Sequence, residues 1–202
     1  MDKQELQTKQ KAFAASLVSI VYAFVMQLTQ NLTLVPGHTN IHVDASIFVP
    51  AIASILFGKV IGAAGAAGGR FVDTTGTTLL TGASGGSAAQ AALTGLNFSN
   101  LIYMASDFIG AWVVGSLTEK PSTQWDGIVA RFTHLDTYSR LFQNTLGSIV
   151  GLGMVGSLLS SYSLAFNNNA INNTTITQGT TAFVESFFLN SAIIIIFIPI
   201  TP

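Results

Sequence analysis

Four stretches of this chain are long, apolar and almost free of charge, and they constrain the fold more than any other feature. A helix needs about 20 mainly apolar residues to cross the hydrocarbon core of a bilayer. The stretches that meet this length are 12–34, 99–117, 141–166 and 182–200. With 8% charged and 49% hydrophobic residues, the chain suits a lipid-facing rather than a water-facing surface. We therefore predict an all-α integral membrane protein.

A fifth apolar segment, 45–95, is rich in Gly, Ala, Ser and Thr, and its length accommodates two further crossings. We place these at 45–58 and 60–80, with a tight turn around Gly58. In the alternative, the second helix runs further and turns at 68–70. The two arrangements differ in whether the arginine of that triplet lies inside a helix or in a cytoplasmic turn. The prediction is therefore about six transmembrane helices in a single membrane domain over 1–202.

The positive charges give an orientation, because short cytoplasmic loops are enriched in Lys and Arg. With six spans and the N-terminus inside, every basic residue except Arg70 falls on the cytoplasmic side. The four Asn-x-Ser/Thr sequons lie at or near the opposite face. Both termini are thus expected to be cytoplasmic, in a multi-pass protein of the plasma membrane. The basic residues on the predicted inner side are Lys3, Lys9, Lys11, Lys59, Lys120, Arg131 and Arg140.

Two predicted loops carry information. The segment 121–140 places apolar side chains at helical spacing, which predicts an amphipathic cytoplasmic helix. This helix is either a docking surface for a cytoplasmic partner or an extension of the fifth span. The segment 167–181 is polar but uncharged, and it is predicted to be an external loop.

Enzyme chemistry is not expected, and no catalytic residue is assigned. The chain has no cysteine, which excludes thiolate metal sites and cysteine nucleophiles, and its net charge of −1 argues against a nucleic-acid partner. The run Gly82-Ala83-Ser84-Gly85 matches an intramembrane serine protease motif. Those proteases need a histidine base on a later helix. His134 is the only histidine after the run, and it lies in a predicted cytoplasmic loop rather than on a later span. The run is therefore interpreted as part of a flexible external loop and not as a protease site.

The predicted loop after the first span contains His38, Asn40 and His42. The i, i+4 spacing of the histidines would suit a metal ion if the loop were helical, but Pro36-Gly37 favours an irregular loop. We expect no metal and no cofactor. The alternatives are a polar lid whose side chains reach a ligand and an ordinary solvated loop.

Ionisable side chains inside a membrane are costly unless they are paired or hydrated, so each suggests a functional site. Arg70 and Asp73 are one helical turn apart and are predicted to pair on one face. Asp107 lies near the middle of the fourth span and Glu185 one turn into the sixth. Trp112 is either a ligand-stacking residue or part of a lipid-facing aromatic belt. For the charged residues, the alternative to ligand contact is a purely structural role in helix packing.

Small residues recur at four-residue spacing along the predicted third and fifth spans, where they allow close helix packing. The cytoplasmic half of the first span also carries small residues, although lipid contact favours Leu and Ile. This stripe is predicted to dock against a helix of another protein. Its members are Ala12, Ala15, Ser16 and Ser19.

The run from Phe48 to Gly68, FVPAIASILFGKVIGAAGAAG, resembles the second-to-third span signature of the substrate-binding S components of energy-coupling factor (ECF) transporters. That signature has an apolar stretch, Phe-Gly-Pro, Gly-Ala and further small residues. Here Lys59 replaces the usual proline, and Asp73 comes later than the usual aspartate. The predicted topology and the lid loop are also similar to this family.

The resemblance implies that the protein captures a vitamin-like micronutrient from outside and performs no chemistry itself. It also implies that the small-residue stripe of the first span docks on a transmembrane coupling subunit, while cytoplasmic ATPases supply energy. The chain has no phosphate-loop motif of its own, which agrees with energy from partners. The alternative is an accessory or structural membrane subunit that binds no solute.

Overall fold

The computed structural model describes residues 3–29, 45–82, 87–118, 138–162 and 173–198. This part of the chain forms helices and the short turns between them and contains no strand, which confirms the predicted all-α class. A 3-10 turn, Ala45–Ile47, precedes the helix that begins at Phe48, and a π-helical segment, Ile149–Gly156, joins the helix that ends at Ser148 to the one that begins at Ser157. The helices are α1 Lys3–Thr29, α2 Phe48–Phe57, α3 Lys59–Leu80, α4 Ala88–Gly95, α5 Phe98–Thr118, α6 Tyr138–Ser148, α7 Ser157–Ser161 and α8 Asn173–Phe197.

Four helical segments among the described residues are long and apolar enough to cross a membrane. They overlap the four apolar stretches of the sequence. The α3 helix has 22 residues but does not reach their hydropathy, because it is rich in Gly and Thr. The α2 helix has 10 residues, which span about 15 Å, or half of a hydrocarbon core. The four segments are Gln7–Thr29, Phe98–Thr118, Arg140–Ser161 and Ile176–Phe197.

The break between α2 and α3 lies at Gly58, whose φ of 86° favours glycine. The turn considered at 68–70 does not form, because α3 continues through those residues. Both Arg70 and Asp73 are therefore in the interior of a helix. Close packing explains this arrangement, since Gly65, Gly68 and Gly69 all contact α1 in one register, which an unbroken helix provides.

Two local predictions need correction. The external loop predicted at 167–181 is wrong over its second half, because α8 begins at Asn173. Threonine hydroxyls there donate to carbonyls one turn back, as from Thr180 to Ile176 at 2.9 Å and from Thr181 to Thr177 at 3.0 Å, so these two hydroxyls are satisfied within the helix. The short helix α4 was not predicted, and Ser87 caps it by accepting from the Gln90 amide. Most of the amphipathic helix predicted at 121–140 lies outside the described residues.

The helix directions follow from close contacts at glycines. Val18 packs against Gly65 and Tyr22 against Gly69, so α1 and α3 run parallel. The α5 helix runs antiparallel to α3, because Gly115 meets Lys59 at one end while Arg70 meets Asp107 further along.

The remaining long helices each run antiparallel to a helix that they contact. Gly110 of α5 packs on Gly151, whereas Gly147 packs near Thr118, so the α6–α7 segment runs antiparallel to α5. Asn190 of α8 contacts Ser157, and Gly179 lies against Tyr162 nearer the start of α8. As a result, the N-terminal end of α1 and the C-terminal end of α8 lie at the same end of the bundle. The basic residues Lys9, Lys11, Lys59 and Arg140 also lie toward this end, which we call the basic end.

The small residues predicted to dock a partner on α1 are partly used inside the chain. Ser19 is buried and packs against Gly68 of α3, and the Ala15 carbonyl lies beside Gly65. The prediction that all four residues form an external docking stripe is therefore wrong for Ser19. Ala12 and Ser16 remain exposed. The reason is mutual fit, because the small residues of α1 face the glycines of α3 in parallel register.

Asn190 forms a hydrogen bond between helices, as expected for a polar residue in an apolar span. Its Nδ2 donates to Ser157 Oγ at 2.8 Å. We expect Asn190→Ala and Ser157→Ala each to lower stability, with a coupling energy of about 0.6 kcal/mol in a double-mutant cycle. Unfolding in mixed detergent micelles measures all four proteins. Purely additive effects would show that the hydrogen bond contributes nothing to the folded state.

Candidate functional site

Three helices bring Tyr22, Arg70 and Asp107 together. Arg70 Nε of α3 donates to Asp107 Oδ2 of α5 at 2.9 Å. The Tyr22 hydroxyl of α1 donates to the same carboxylate oxygen at 3.1 Å, and Arg70 Nη2 lies 3.5 Å from that hydroxyl. The Arg70 guanidinium also lies 5.9 Å from the centroid of the Tyr103 ring, within cation–π range. These residues form the first half of the site.

A second group lies one helical turn along α3. Gln27 of α1 donates through Nε2 to Asp73 Oδ1 at 2.5 Å and to Thr77 Oγ1 at 2.6 Å. Asp73 is buried, with 9% of its surface exposed. The group forms because Asp73 and Thr77 are four residues apart and present one face to α1. We call the two groups together the polar cluster, defined by Tyr22, Gln27, Arg70, Asp73, Thr77 and Asp107.

The ionic pairing differs from the sequence prediction. Arg70 makes its ion pair with Asp107 on another helix, and Asp73 accepts from an amide of α1. Sequence spacing alone favoured a pair within α3, one turn apart. The bundle adds these partners because α5 presents a carboxylate directly beside the guanidinium, and α1 presents the Gln27 amide to Asp73.

Burial determines how strongly these groups interact. The side chains of Arg70 and Asp107 retain 23% and 14% of their accessible surface. Charges in such a position are screened much less than surface charges. The chemical groups of the cluster are a guanidinium, two carboxylates, a phenol, an amide and a hydroxyl. Such a set can bind a small polar molecule through several hydrogen bonds.

Close packing fixes the geometry of the cluster. Gly69 lies directly against the Tyr22 ring, and Gly65 against Val18. Any side chain at these glycines would push α1 away from α3 and separate the residues of the cluster. The small residues of α3 therefore let α1 approach closely enough for its polar side chains to form hydrogen bonds with α3 and α5.

No protein-family model, curated protein or solved structure matches this chain.

The other predicted site residues that are described lie away from the cluster. Trp112 is partly exposed, with its ring stacked on Phe108 and lying beside Lys59 Nζ. Glu185 is exposed on α8, a helix that packs mainly against the α6–α7 segment and α2. Glu185 therefore lies on an exposed face, and its part in the site stays a prediction. Trp112 belongs to the exposed surface near the basic end.

The residues of the predicted lid, His38, Asn40 and His42, lie outside the described residues. Within the described part of the chain, no group of three or more His, Asp or Glu residues is arranged to hold a metal ion.

Sequence reasoning missed Tyr22, Gln27 and Thr77. Gln27 is the only amide side chain between residues 12 and 28, and this isolated position in an apolar stretch was an available signal. Tyr22 gave a weaker one, because tyrosine is also common at membrane interfaces. Thr77 lies among several threonines, and nothing in the sequence distinguishes it from its neighbours.

Proposed function

We propose that this chain is a membrane-embedded subunit that binds a small polar solute at the polar cluster. The observation that carries this proposal is the meeting of Tyr22, Arg70 and Asp107 between α1, α3 and α5. Charged side chains within a helical bundle are costly and commonly mark a solute or ion pathway. Arg70 and Asp107 also keep part of their surface exposed, so a small molecule can reach them.

In its fuller form, the proposal is a six-span protein of the plasma membrane with the basic end in the cytoplasm. The clustering of basic residues toward one end of the bundle supports this orientation. The solute is then taken from outside, since the cluster lies along α3 beyond Lys59, on the side away from the basic end. This function agrees with the ECF resemblance, in which a coupling subunit and two cytoplasmic ATPases drive uptake of a vitamin-like micronutrient.

The experiment begins with mass spectrometry of small molecules retained after mild detergent extraction. The identified compound is then added to purified protein, and thermal unfolding is measured. We expect stabilisation of the wild type and loss of that stabilisation in Asp107→Asn, which keeps the side-chain shape but removes the charge. Asn190→Ala is the matched control, because it perturbs a different helix contact.

Several outcomes separate the parts of the proposal. If Asp107→Asn is stabilised as much as the wild type, the polar cluster is not the solute site. If no compound is retained and none of a vitamin panel stabilises the protein, solute binding itself is rejected. If solute binds but no ATPase copurifies from native membranes, the assignment to an ECF transporter fails while solute binding stands.

A second candidate function is a structural or accessory subunit of a larger membrane complex. The observation that favours it is the internal pairing of the cluster, in which Arg70, Tyr22 and Asp107 already bond one another. Such a cluster can fix helix packing without a ligand. Copurification of a stable complex that retains no small molecule would favour this function.

A further inference from the structure

Lys59 lies at the tip of the α2–α3 hairpin, where its side chain meets an aromatic ring. Its Nζ lies 5.7 Å from the centroid of the Trp112 ring, and its main chain packs against Gly115. The parallel register of α1 and α3 places Lys59 level with Ala12, next to Lys11. Lysine and tryptophan side chains are typical of the membrane–water interface, where an apolar body and a polar tip meet lipid and water.

Exposed apolar residues flank Lys59 along the chain. Phe57 and Val60, on either side of the hairpin tip, expose 54% and 55% of their surface. Phe108 stacks on Trp112 with ring centroids 5.8 Å apart and extends the apolar surface away from the basic end. We call Phe57, Lys59, Val60, Phe108 and Trp112 the Lys59 patch. It combines one positive charge at its rim with an apolar surface that continues toward the middle of the bundle.

We propose that the Lys59 patch binds an anionic phospholipid. The phosphate lies against the Lys59 ammonium, and an acyl chain lies along Trp112 and Phe108. Charge complementarity selects this lipid class, because a zwitterionic lipid would bring its own cation to Lys59. A lysine near a membrane surface favours an anionic lipid by about fivefold. This inference does not depend on the proposed solute binding.

Bromine on lipid acyl chains quenches tryptophan fluorescence at short range, which gives a direct test. The chain has two tryptophans, so Trp125→Phe leaves Trp112 as the single reporter. The protein is placed in phosphatidylcholine vesicles with a minor fraction of phosphatidylglycerol. Bromine is carried either by the phosphatidylglycerol or by an equal mole fraction of the phosphatidylcholine. We expect stronger quenching from the brominated anionic lipid, equivalent to about fivefold enrichment near Trp112.

Substitutions at Lys59 test whether this residue causes the preference for the anionic lipid. Lys59→Gln should remove the preference, while Lys59→Arg should retain it. Lys11→Gln, at the same level of the bundle on α1, should also retain it. Equal quenching by both lipids in the wild type would overturn the proposal. A preference for the anionic lipid that survives in Lys59→Gln would also overturn it, as would a preference that is lost in Lys11→Gln to the same extent as in Lys59→Gln. High salt provides a check without mutation, since it should weaken the preference in the wild type.

Discussion

Replacing Arg70 with methionine is expected to destabilise the folded protein by about 3 kcal/mol, the largest effect of any single substitution considered for this chain. Arg70 holds its cation 2.9 Å from Asp107 Oδ2, and the substitution removes that cation while the carboxylate stays in the bundle. The structure then contains a charge whose main compensation is gone. Reversible unfolding in mixed micelles, followed by circular dichroism, measures the loss.

A double substitution shows whether the pair is the cause. Arg70→Met together with Asp107→Leu removes both charges, and we expect it to be more stable than Arg70→Met alone. Lys11→Met is the matched control, since Lys11 is an exposed basic residue and its loss should change stability by about 0.5 kcal/mol or less. If the double variant shows the simple sum of the two single losses, the ion pair is not a stabilising unit.

Gly115→Ala is expected to be the second most disruptive change, with a cost of about 1–3 kcal/mol. A Cβ at Gly115 would lie 2.6 Å from the Lys59 main-chain nitrogen, and backbone cannot rotate away as a side chain can. The α2–α3 hairpin must therefore separate from α5. Unfolding measurements give the cost, and the fluorescence of Trp112, which lies beside Lys59, should report the local shift.

Gly76→Ala provides the matched control for this helix-packing argument. A Cβ at Gly76 meets nothing within 4 Å, and the residue lies within α3. Alanine has the higher helix propensity, so this variant should be more stable than the wild type by about 0.5–1 kcal/mol. Equal effects at Gly76 and Gly115 would show that backbone propensity, rather than close packing, decides the outcome.

The polar cluster illustrates how far sequence reasoning reached. Arg70, Asp73 and Asp107 were identified as site residues because charge inside an apolar span is costly wherever its partner lies. The ion pair of Arg70 with Asp107 was not predicted, since Asp107 is 37 residues away in the chain and on another helix. Glu185 met the same sequence criterion, yet its helix carries it to an exposed face. Sequence spacing can indicate only contacts within α3. The contacts with α5 and α1 depend on how these helices cross α3.

For the small-residue pattern too, the sequence predicted close packing but not the partner. The spacing of small residues along the predicted third span correctly predicted that α3 packs closely against another helix. It could not tell that the partner is α1 of the same chain, where Ser19 and Tyr22 fill the space left by glycine. Ser19 therefore lost its predicted external role. A stripe of small residues has the same appearance in sequence whether its partner lies in the same protein or in another.

The sequence by itself determined that this protein is helical and that four of its segments have the length and composition to cross a membrane. Both properties belong to continuous stretches of chain, because bilayer thickness sets the length and hydropathy the composition. The tertiary structure alone decided that Tyr22 and Gln27 join the cluster, that Arg70 pairs with Asp107 and that Lys59 lies beside Trp112. These contacts join residues of different helices, and their register depends on how glycine and alanine let the helices approach.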